Sequence, residues 1–250
     1  NMLRKHIKIE SPRWYYHCDR LGMLVWQDFV NGGGQYPFLT TVIPVLFKHH
    51  LKDDRYSRFA REDLEGRRQF IREGEETIKL LYNYPSIVLW TIFNEGWGQF
   101  DSRAVLEKMQ SFDQTRLFDH ASGWHDQGIG KLKSDHVYFR KYKIKQDKFD
   151  RAHVLSEFGG YHLRIAGHAF SEKNFGYKRM KTSEELTNAI ERLYEEEIIP
   201  AAKKGLSASV YTQLSDVEDE LNGLITYDRK VIKVKPNQIR KFNYKLTKNR

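Results

Sequence analysis

Several features that would assign a class at once are missing from this 250-residue sequence. It has a single cysteine, Cys18, so no intramolecular disulfide can form, and no CxxC or His/Cys cluster has the spacing of a zinc site. No apolar run approaches the ~20 residues that a membrane-spanning helix needs. Internal repeats and low-complexity linkers are absent as well. The sequence therefore excludes a disulfide scaffold, and it predicts no metal, no cofactor and no membrane partner.

Positive charge is in excess. Lys and Arg number 42 against 33 Asp and Glu, which gives a net charge of +9, and much of the excess lies in residues 140–148 and 228–250. A polyanion could bind such clusters, but a solvated face and a solvated tail explain them better. We therefore expect no nucleic acid partner. A polyanion-binding protein is an alternative that requires the cations to converge on one surface.

Strand-like and helix-like segments alternate along the chain. Ser11-Pro12 predicts a helix start and Gly22 its end, Asp101 is a candidate cap, and Thr182 opens a capping-box sequence. The predicted helices cover residues 12–21, 58–82, 102–112, 183–202 and 236–246. The predicted strands cover residues 2–9, 23–29, 87–93, 117–121, 136–139, 154–158 and 208–213. Residues 31–34, Asn-Gly-Gly-Gly, predict a flexible loop at the rim.

Repeated β-α units favour a parallel sheet, and seven strands are one short of the eight that close a barrel. We therefore predict an α/β fold, a (β/α)8 TIM barrel that lacks its first strand and helix in this chain. Residues 1–250 are predicted to form a single catalytic domain, because barrels commonly reach about 250 residues without splitting. The chain begins directly before a strand, so a missing signal peptide carries no information on localisation.

Two mostly apolar runs end in a carboxylate, one at Glu95 and one at Glu157. Continuous apolar runs are typical of strands buried on both faces, and parallel sheets place their chemistry beyond the carboxyl ends of the strands. Both glutamates are therefore predicted to lie on one rim. Glycoside hydrolysis needs such a pair, one group to protonate the leaving oxygen and one to attack or stabilise the sugar carbon.

An ordered set of short motifs resembles the catalytic barrel of glycoside hydrolase family two, which includes β-galactosidases, β-glucuronidases and β-mannosidases. The motifs are N-M-L-R-K-H at 1–6, C-D-R-L-G-M at 18–23, N-E-G-W at 94–97, S-E-F-G-G at 156–160 and Y-T-Q at 211–213. Members of this family usually carry a jelly-roll sugar-binding domain and immunoglobulin-like sandwiches before the barrel. The resemblance thus implies further N-terminal domains of the same protein as partners, and a carbohydrate as substrate.

By that resemblance, Glu95 is the general acid/base and Glu157 the nucleophile of a retaining exo-β-glycosidase. A group that delivers a proton must begin protonated, whereas a nucleophile must stay ionised and needs hydrogen-bond donors around it. Retention requires the two carboxyls to lie about 5 to 5.5 Å apart. The resemblance also implies that Asn94 bonds the sugar 2-hydroxyl, although it could be a turn residue, and that Arg4 supports the nucleophile, although it could be an ordinary ion-pair partner.

The remaining candidates are predicted to bind the sugar. Tyr138 lies where these barrels often place a phenol that donates to the nucleophile, and His136 competes with it because the strand register is open. A packed aromatic is the alternative role for Tyr138. Three residues in loops after strand ends could stack on a pyranose, and two could bond its hydroxyls. The stacking candidates are Trp97, Trp124 and His125, and the hydrogen-bonding candidates are Asp28, with helix capping as its alternative, and Gln213.

Two departures from the family pattern bear on specificity. Ile7 stands where the family's sugar-binding Arg-x-x-His pattern has histidine, and Gln27-Asp28 stands where many β-galactosidases have Asp-Glu. Galactose specificity and the family magnesium site are therefore not predicted. Arg140, Lys141 and Lys143 could instead favour a uronic sugar. The alternative functions are a catalytically silent carbohydrate-binding barrel and an inactive fragment, and both glutamates argue against the first.

Overall fold

The computed structural model describes residues 1–47, 49–173 and 175–248. These form two compact units. The first comprises residues 1–135 and 147–152, and the second comprises residues 136–146 and the described residues from 153 onward. The assignment of all 250 residues to one barrel domain stays a prediction.

The first unit is built on a four-stranded parallel sheet of order β1-β2-β3-β4. The strands are β1 (Met2–Lys5), β2 (Leu24–Asp28), β3 (Ile87–Asn94) and β4 (Leu117–Ser122). Asp28 is level with Thr91 and Asn94 with Ser122 across neighbouring strands. All four carboxyl ends therefore lie at one edge of this sheet, as predicted for parallel strands.

Helices cover the connections of the first unit. They are α1 (Pro12–Leu21), α2 (Phe38–Val42) continued by a π-helical turn (Ile43–Phe47), a 3-10 turn (Tyr56–Phe59), α3 (Leu64–Leu81) and α4 (Ser102–Phe112). Gly22 ends α1 in the left-handed conformation, as its sequence predicts. The helix predicted from residue 58 begins later, because the Asp63 carboxylate accepts from the Glu65 and Gly66 amides. Asp101 precedes α4 as predicted but makes no capping bond, and it accepts from Tyr56 Oη at 2.8 Å instead.

The core of the first unit lies on both sides of β3. All of β3 except Val88 is buried, which confirms the prediction of a strand covered on both faces. Phe70 and Phe100 pack against Phe93, and Trp90 donates to Asp113 Oδ2 at 2.9 Å. Burying each of these aromatic side chains contributes roughly 1.5–3 kcal/mol to folding. Packing therefore fixes the strand that ends at Asn94.

The second unit contains the parallel pair β6 and β9, which belong to a sheet of order β5-β6-β9. The strands are β5 (Leu132–Val137), β6 (Ala152–Gly159), β7 (Tyr161–His162), β8 (Lys178–Arg179) and β9 (Leu206–Thr212). The strand predicted at 136–139 lies earlier, because buried Leu132, Ser134 and His136 alternate with partly exposed residues. Because both faces of β5 carry polar residues, the sequence shows no apolar pattern that would identify this strand. Tyr138 consequently follows the strand.

Two helical segments flank this second sheet. The first runs through α5 (Ser183–Leu193), a π-helical turn (Tyr194–Ile198) and α6 (Ile199–Ala202), and the second is α7 (Pro236–Lys248). Thr182 Oγ1 accepts from the Glu185 amide at 3.1 Å, which confirms the predicted cap. Phe242 of α7 is buried in the core with Leu155 and Phe158 of β6. Among the described residues, no helix combines the length and apolar character needed to cross a bilayer.

A fully buried ion pair ties the loops of the second unit together. The Lys233 ammonium donates to Asp216 Oδ1 at 2.7 Å and to the carbonyls of Leu163 and Leu221 at 2.9 and 2.8 Å. Asp216 Oδ1 also accepts from the Gly223 amide. Because all three ammonium hydrogens have acceptors, the buried charge is compensated. The pair thereby connects the segment after β7 to the segment after β9.

Candidate active site

Glu95 lies immediately beyond the carboxyl end of β3, in a turn of unusual backbone conformation. Glu95 and Gly96 both have left-handed φ angles, of 50° and 75°. A non-glycine residue in this region costs about 1–2 kcal/mol, so its surroundings must hold it there. The Glu95 amide donates to the Ser122 carbonyl at 3.0 Å, and the Trp97 amide donates to the Asn94 carbonyl at 2.8 Å. Glu95 itself is partly exposed.

His125 packs beneath this turn. A Cβ at Gly96 would lie 2.6 Å from His125 Cδ2, so only glycine allows the contact. The imidazole is 0% exposed, its Nδ1 accepts from the Leu51 amide at 3.1 Å, and its Nε2 lies 2.8 Å from the Thr40 carbonyl. Since Nδ1 accepts, Nε2 carries the proton and donates. Burial lowers the pKa of His125 to about 4, and the ring is neutral near pH 7.

This placement corrects the expectation that His125 stacks on a sugar. The ring has no exposed face, and both of its nitrogens already have partners within the first unit. His125 instead supports the turn that carries Glu95. The sequence did not reveal this role, because Thr40 and Leu51 lie more than 70 residues away along the chain.

Arg4, Asp28 and Asn94 form a buried network at the carboxyl ends of three neighbouring strands. Arg4 donates from Nε to Asp28 Oδ1 at 3.1 Å, and from Nη2 to Asp28 Oδ2 and to Asn94 Oδ1, both at 2.8 Å. Burial pushes the pKa of Asp28 up, but the Arg4 charge and hydrogen bonds from His6 and Arg4 outweigh it and hold the pKa below its ordinary value. Asp28 is therefore ionised and positions Arg4.

Asp28 was predicted to bond sugar hydroxyls or to cap a helix, and the structure gives it neither role. Its carboxylate is 0% exposed and accepts from Arg4 on both oxygens, and from the Ile7 amide on Oδ2 at 3.3 Å. It caps no helix, and it offers a sugar no exposed oxygen. Arg4 balances its charge, so this carboxylate is a poor ligand for a cation.

The orientation of the Asn94 amide follows from its partner. Arginine has donors and no acceptor, so the Asn94 atom that faces Arg4 Nη2 is the oxygen. Nδ2 must then point elsewhere, and it has no hydrogen-bond partner among the described residues although Asn94 is only 1% exposed. Buried amides without partners are rare and call for an explanation. A donor is available beside Glu95 for a group that is not part of the described chain.

Asn31 and the glycines after it were predicted as a flexible loop at the rim, but not as residues that pack against the strand ends. Asn31 Nδ2 donates to the carbonyls of Phe29 and Ile92, and its Oδ1 accepts from the Asn94 amide at 2.6 Å. A Cβ at Gly33 would lie 2.5 Å from the Ala60 carbonyl oxygen. The segment predicted to be a flexible loop therefore contains glycine because it packs closely. The sequence feature that could have indicated this role is an asparagine three residues beyond the end of a strand.

The predicted tryptophans differ in their surroundings. Trp97 is partly exposed, and its ring contacts His6 edge-on at 6.2 Å and Tyr36 at 6.4 Å between centroids. Trp124 is also partly exposed and follows β4, with its amide bonded to the Ser122 carbonyl at 3.2 Å. Both rings thus keep accessible surface at the edge where Glu95 lies, as a sugar platform would require.

Glu157 lies within β6 of the second unit, and a phenol and an imidazole approach its carboxylate. Tyr138 Oη donates a hydrogen bond to Glu157 Oε2. His136 Nδ1 lies 3.5 Å from the same oxygen. His136 lies near the end of β5, and Tyr138 follows two residues later, just beyond the strand. The sequence predicted Tyr138 and His136 as alternative partners of Glu157. In the structure both residues lie close to the Glu157 carboxylate.

Tyr177 and Gln213 complete this region. The Tyr177 ring stacks on Tyr138 with 3.8 Å between centroids and 9° between planes. Gln213 follows β9, and its Nε2 donates to Asn222 Oδ1 at 2.7 Å. The Gln213 side chain is partly exposed and is held by the neighbouring loop. Its role as a sugar ligand stays a prediction.

Comparisons with known proteins place this arrangement in a family. The model described as "Glycosyl hydrolases family 2, TIM barrel domain" matches residues 5–168. "Beta-mannosidase B" of Thermothelomyces thermophilus is 35% identical over 96 residues, which are 38% of this chain and 8% of that protein.

Solved structures of low sequence identity share the fold. The β-D-glucuronidase of Dictyoglomus thermophilum has a TM-score of 0.66 at 14% identity, over 99% of this chain and 44% of that chain. The β-galacturonidase of Eisenbergiella tayi has a TM-score of 0.64 at 16% identity, over 96% of this chain and 44% of that chain. The predicted TIM barrel fold class is therefore confirmed. The chain spans less than half the length of these proteins.

Replacing His125 by Gln should make folding less sensitive to acid. The ring has a folded pKa of about 4 against the ordinary 6.5, so between these values the unfolded chain binds a proton that the folded chain does not. The stability that the neutral ring contributes is present above about pH 6.5 and is lost as the pH falls toward 4, by at most about 3 kcal/mol. Urea unfolding of both proteins from pH 7 to 4.5 measures the difference.

The exposed His17 provides the matched control. His17→Gln should leave the pH dependence of the wild-type protein unchanged. Parallel curves for His125→Gln and the wild type would show that His125 is not held neutral by the fold.

Proposed function

The chain belongs to glycoside hydrolase family 2, and from this premise we propose that it supplies the catalytic residues of a retaining exo-β-glycosidase. Glu95 is the general acid/base and Glu157 is the nucleophile. The observation that carries the proposal is the hydrogen bond from Tyr138 to the Glu157 carboxylate. A donor on that oxygen favours the ionised form, which a nucleophile needs and a general acid does not.

The reaction proceeds in two displacements. Glu95 protonates the glycosidic oxygen while a Glu157 oxygen attacks the anomeric carbon, so the bond to the leaving group breaks and a glycosyl ester forms on Glu157. Esterification removes the charge of Glu157. Glu95, now a carboxylate, takes a proton from water as that water attacks the anomeric carbon, and the ester bond breaks to free Glu157. Two inversions at one carbon give net retention.

Asn94 contributes in the transition state. Its unpartnered Nδ2 lies on the residue before Glu95, and Arg4 fixes the amide from the other side. We assign this donor to the sugar 2-hydroxyl, a contact that strengthens as the oxocarbenium-like transition state forms. Trp97 and Trp124 provide aromatic surface for the pyranose.

The substrate we propose is a neutral, terminal β-linked hexose, with β-mannoside first. The relative named as a β-mannosidase is 35% identical over its matched segment, whereas the glucuronidase and galacturonidase structures are 14% and 16% identical. A uronic sugar would need a cation to pair with its carboxylate. Lys141 already bonds Glu196 Oε2 at 2.9 Å, so it is a weak candidate for that task.

Substitution of the two glutamates should separate their roles. Glu157→Gln should lower kcat by roughly 10³-fold or more for every aryl β-glycoside, because no ester can form. Glu95→Gln should slow substrates with poor leaving groups far more than dinitrophenyl glycosides, which leave without a proton. Steady-state rates on the full-length protein measure both effects. Glu107→Gln, on the exposed face of α4, is the control and should keep full activity.

Product stereochemistry provides the second measurement of this prediction. With azide present, Glu95→Ala should form the β-glycosyl azide and Glu157→Ala the α-glycosyl azide, because azide replaces water in one case and the nucleophile in the other. Proton NMR of the first wild-type turnovers should show the β-anomer. Ordinary turnover by Glu157→Gln would refute the nucleophile assignment, and an initial α-anomer would refute the double displacement.

Removal of the Asn94 amide should matter only for substrates that have a 2-hydroxyl. Asn94→Ala should lower kcat/KM by roughly 10²-fold on the ordinary aryl glycoside, because a transition-state hydrogen bond is lost. On the 2-deoxy analogue, variant and wild type should differ by no more than about twofold. An equal loss on both substrates would mean that Asn94 acts through the shape of the Glu95 turn.

A panel of aryl β-glycosides tests the substrate assignment. We expect kcat/KM to be highest for the β-mannoside and lowest for the β-glucuronide at matched leaving group and pH. Preference for the glucuronide would overturn the neutral-sugar assignment without affecting the roles of the two glutamates. Absence of turnover on every sugar would favour the silent carbohydrate-binding alternative, and equilibrium binding of the same panel would then identify the ligand.

A further inference from the structure

The Tyr138 hydroxyl approaches the side chains of Glu157 and Thr212 within the second unit. It lies against Glu157 Oε2, and it lies 3.2 Å from Thr212 Oγ1. A carboxylate can only accept, so the single phenolic hydrogen of Tyr138 goes to Glu157. The phenol oxygen can then only accept from Thr212, and the threonine hydroxyl must be the donor. The three groups form one directed chain, from Thr212 through Tyr138 to Glu157.

Thr212 is well placed to hold its hydroxyl in this chain. It is the last residue of β9, level with Gly159 of β6, and its carbonyl accepts from the Gly160 amide at 3.0 Å. The β-branched side chain has restricted rotation about χ1, so the hydroxyl position follows from the backbone. The strand that carries Glu157 thus also fixes the position of Thr212.

The Tyr138 ring is held independently of its hydroxyl. Tyr177 stacks on it in parallel, and the Tyr177 amide donates to the Gly160 carbonyl at 3.0 Å. A Cβ at Gly160 would lie 2.2 Å from Tyr177 and 3.2 Å from Tyr138, so the glycine makes room for the stacked pair. Because packing fixes the plane of the Tyr138 ring, only the direction of its O–H bond can still vary.

We propose that Thr212 is a positioning residue for the glycosidase reaction, which acts by orienting and polarising the Tyr138 phenol toward Glu157. The inference rests on the proposed role of Glu157 as nucleophile. A hydroxyl that accepts a hydrogen bond becomes a stronger donor, so Thr212 strengthens the bond that keeps the Glu157 carboxylate ionised. Thr212 contacts no reacting atom, and its effect passes entirely through Tyr138.

The substitution Thr212→Val tests this role, because valine has the same shape and lacks the hydroxyl. We expect kcat/KM at the optimum to fall roughly 3- to 10-fold, the range of a single net hydrogen bond. We also expect the acid limb of kcat/KM against pH to move up by roughly half a unit, because a less stabilised carboxylate takes up its proton at higher pH. Thr212→Ser restores the hydroxyl and should restore both the rate and the acid limb.

A double-substitution cycle separates this role from simple packing. In a Tyr138→Phe background, Thr212→Val should cause no further loss, because the phenol through which it acts is gone. An equal loss in both backgrounds, or an acid limb that does not move in Thr212→Val, would overturn the inference. Near-wild-type thermal unfolding of each variant checks that the comparison concerns folded protein.

The same experiments distinguish a failure of this inference from a failure of the proposed function. If Glu157→Gln retains ordinary turnover, the nucleophile assignment is wrong and the role of Thr212 falls with it. If Glu157→Gln is inactive while Thr212→Val behaves as the wild type in rate and pH profile, the nucleophile stands and only the role of Thr212 is refuted.

Discussion

The free-energy cost of burying an ionised side chain constrains where charged residues lie in this structure. A strand covered on both faces cannot carry an unpaired ionised side chain, since transfer of a lone charge from water to an apolar interior is prohibitive. β3 accordingly has no charged residue from Ile87 to Phe93, and Glu95 follows where the strand has ended. Glu157 lies inside β6, at a position that is partly exposed. It is tolerated there with a phenol donating to it and an imidazole 3.5 Å away.

The same constraint explains the buried ion pairs of each unit. Arg4 is paired with Asp28, and Lys233 with Asp216, so that each buried charge has a partner and further hydrogen bonds. Asn94 Nδ2 is among the buried side-chain atoms without a hydrogen-bond partner in the described part of the chain, whereas the Oδ1 of the same amide accepts from Arg4. A buried donor left open beside a candidate acid is the pattern expected where a ligand, and not the protein, completes the hydrogen bonding.

The expectations that failed have two causes, contacts with residues distant in sequence and a strand without an apolar pattern. His125 follows a tryptophan in a loop after a strand, as a sugar-stacking residue would. Its ring is nevertheless buried, because it accepts a hydrogen bond from the Leu51 amide and donates one to the Thr40 carbonyl. β5 was misplaced because its outward and inward positions are both largely polar, so no apolar pattern marks it. The glycines after Asn31 indicate flexibility, yet at Gly33 the close approach of the Ala60 carbonyl oxygen explains the glycine better.

The sequence by itself determined the main β-α alternation, the α/β class, and the two glutamates as the central candidates, but not the short strands β7 and β8 or the helical turns between residues 38 and 59. These features depend on local periodicity, on caps such as Thr182, and on short motifs that a single chain segment contains. Only the tertiary structure decided that Asp28 positions Arg4, that His125 supports a turn, and that Thr212 and Tyr177 meet Tyr138. Hydrogen bonds and ring stacking act over a few ångströms, and no residue spacing along the chain encodes which distant side chains fall within that range.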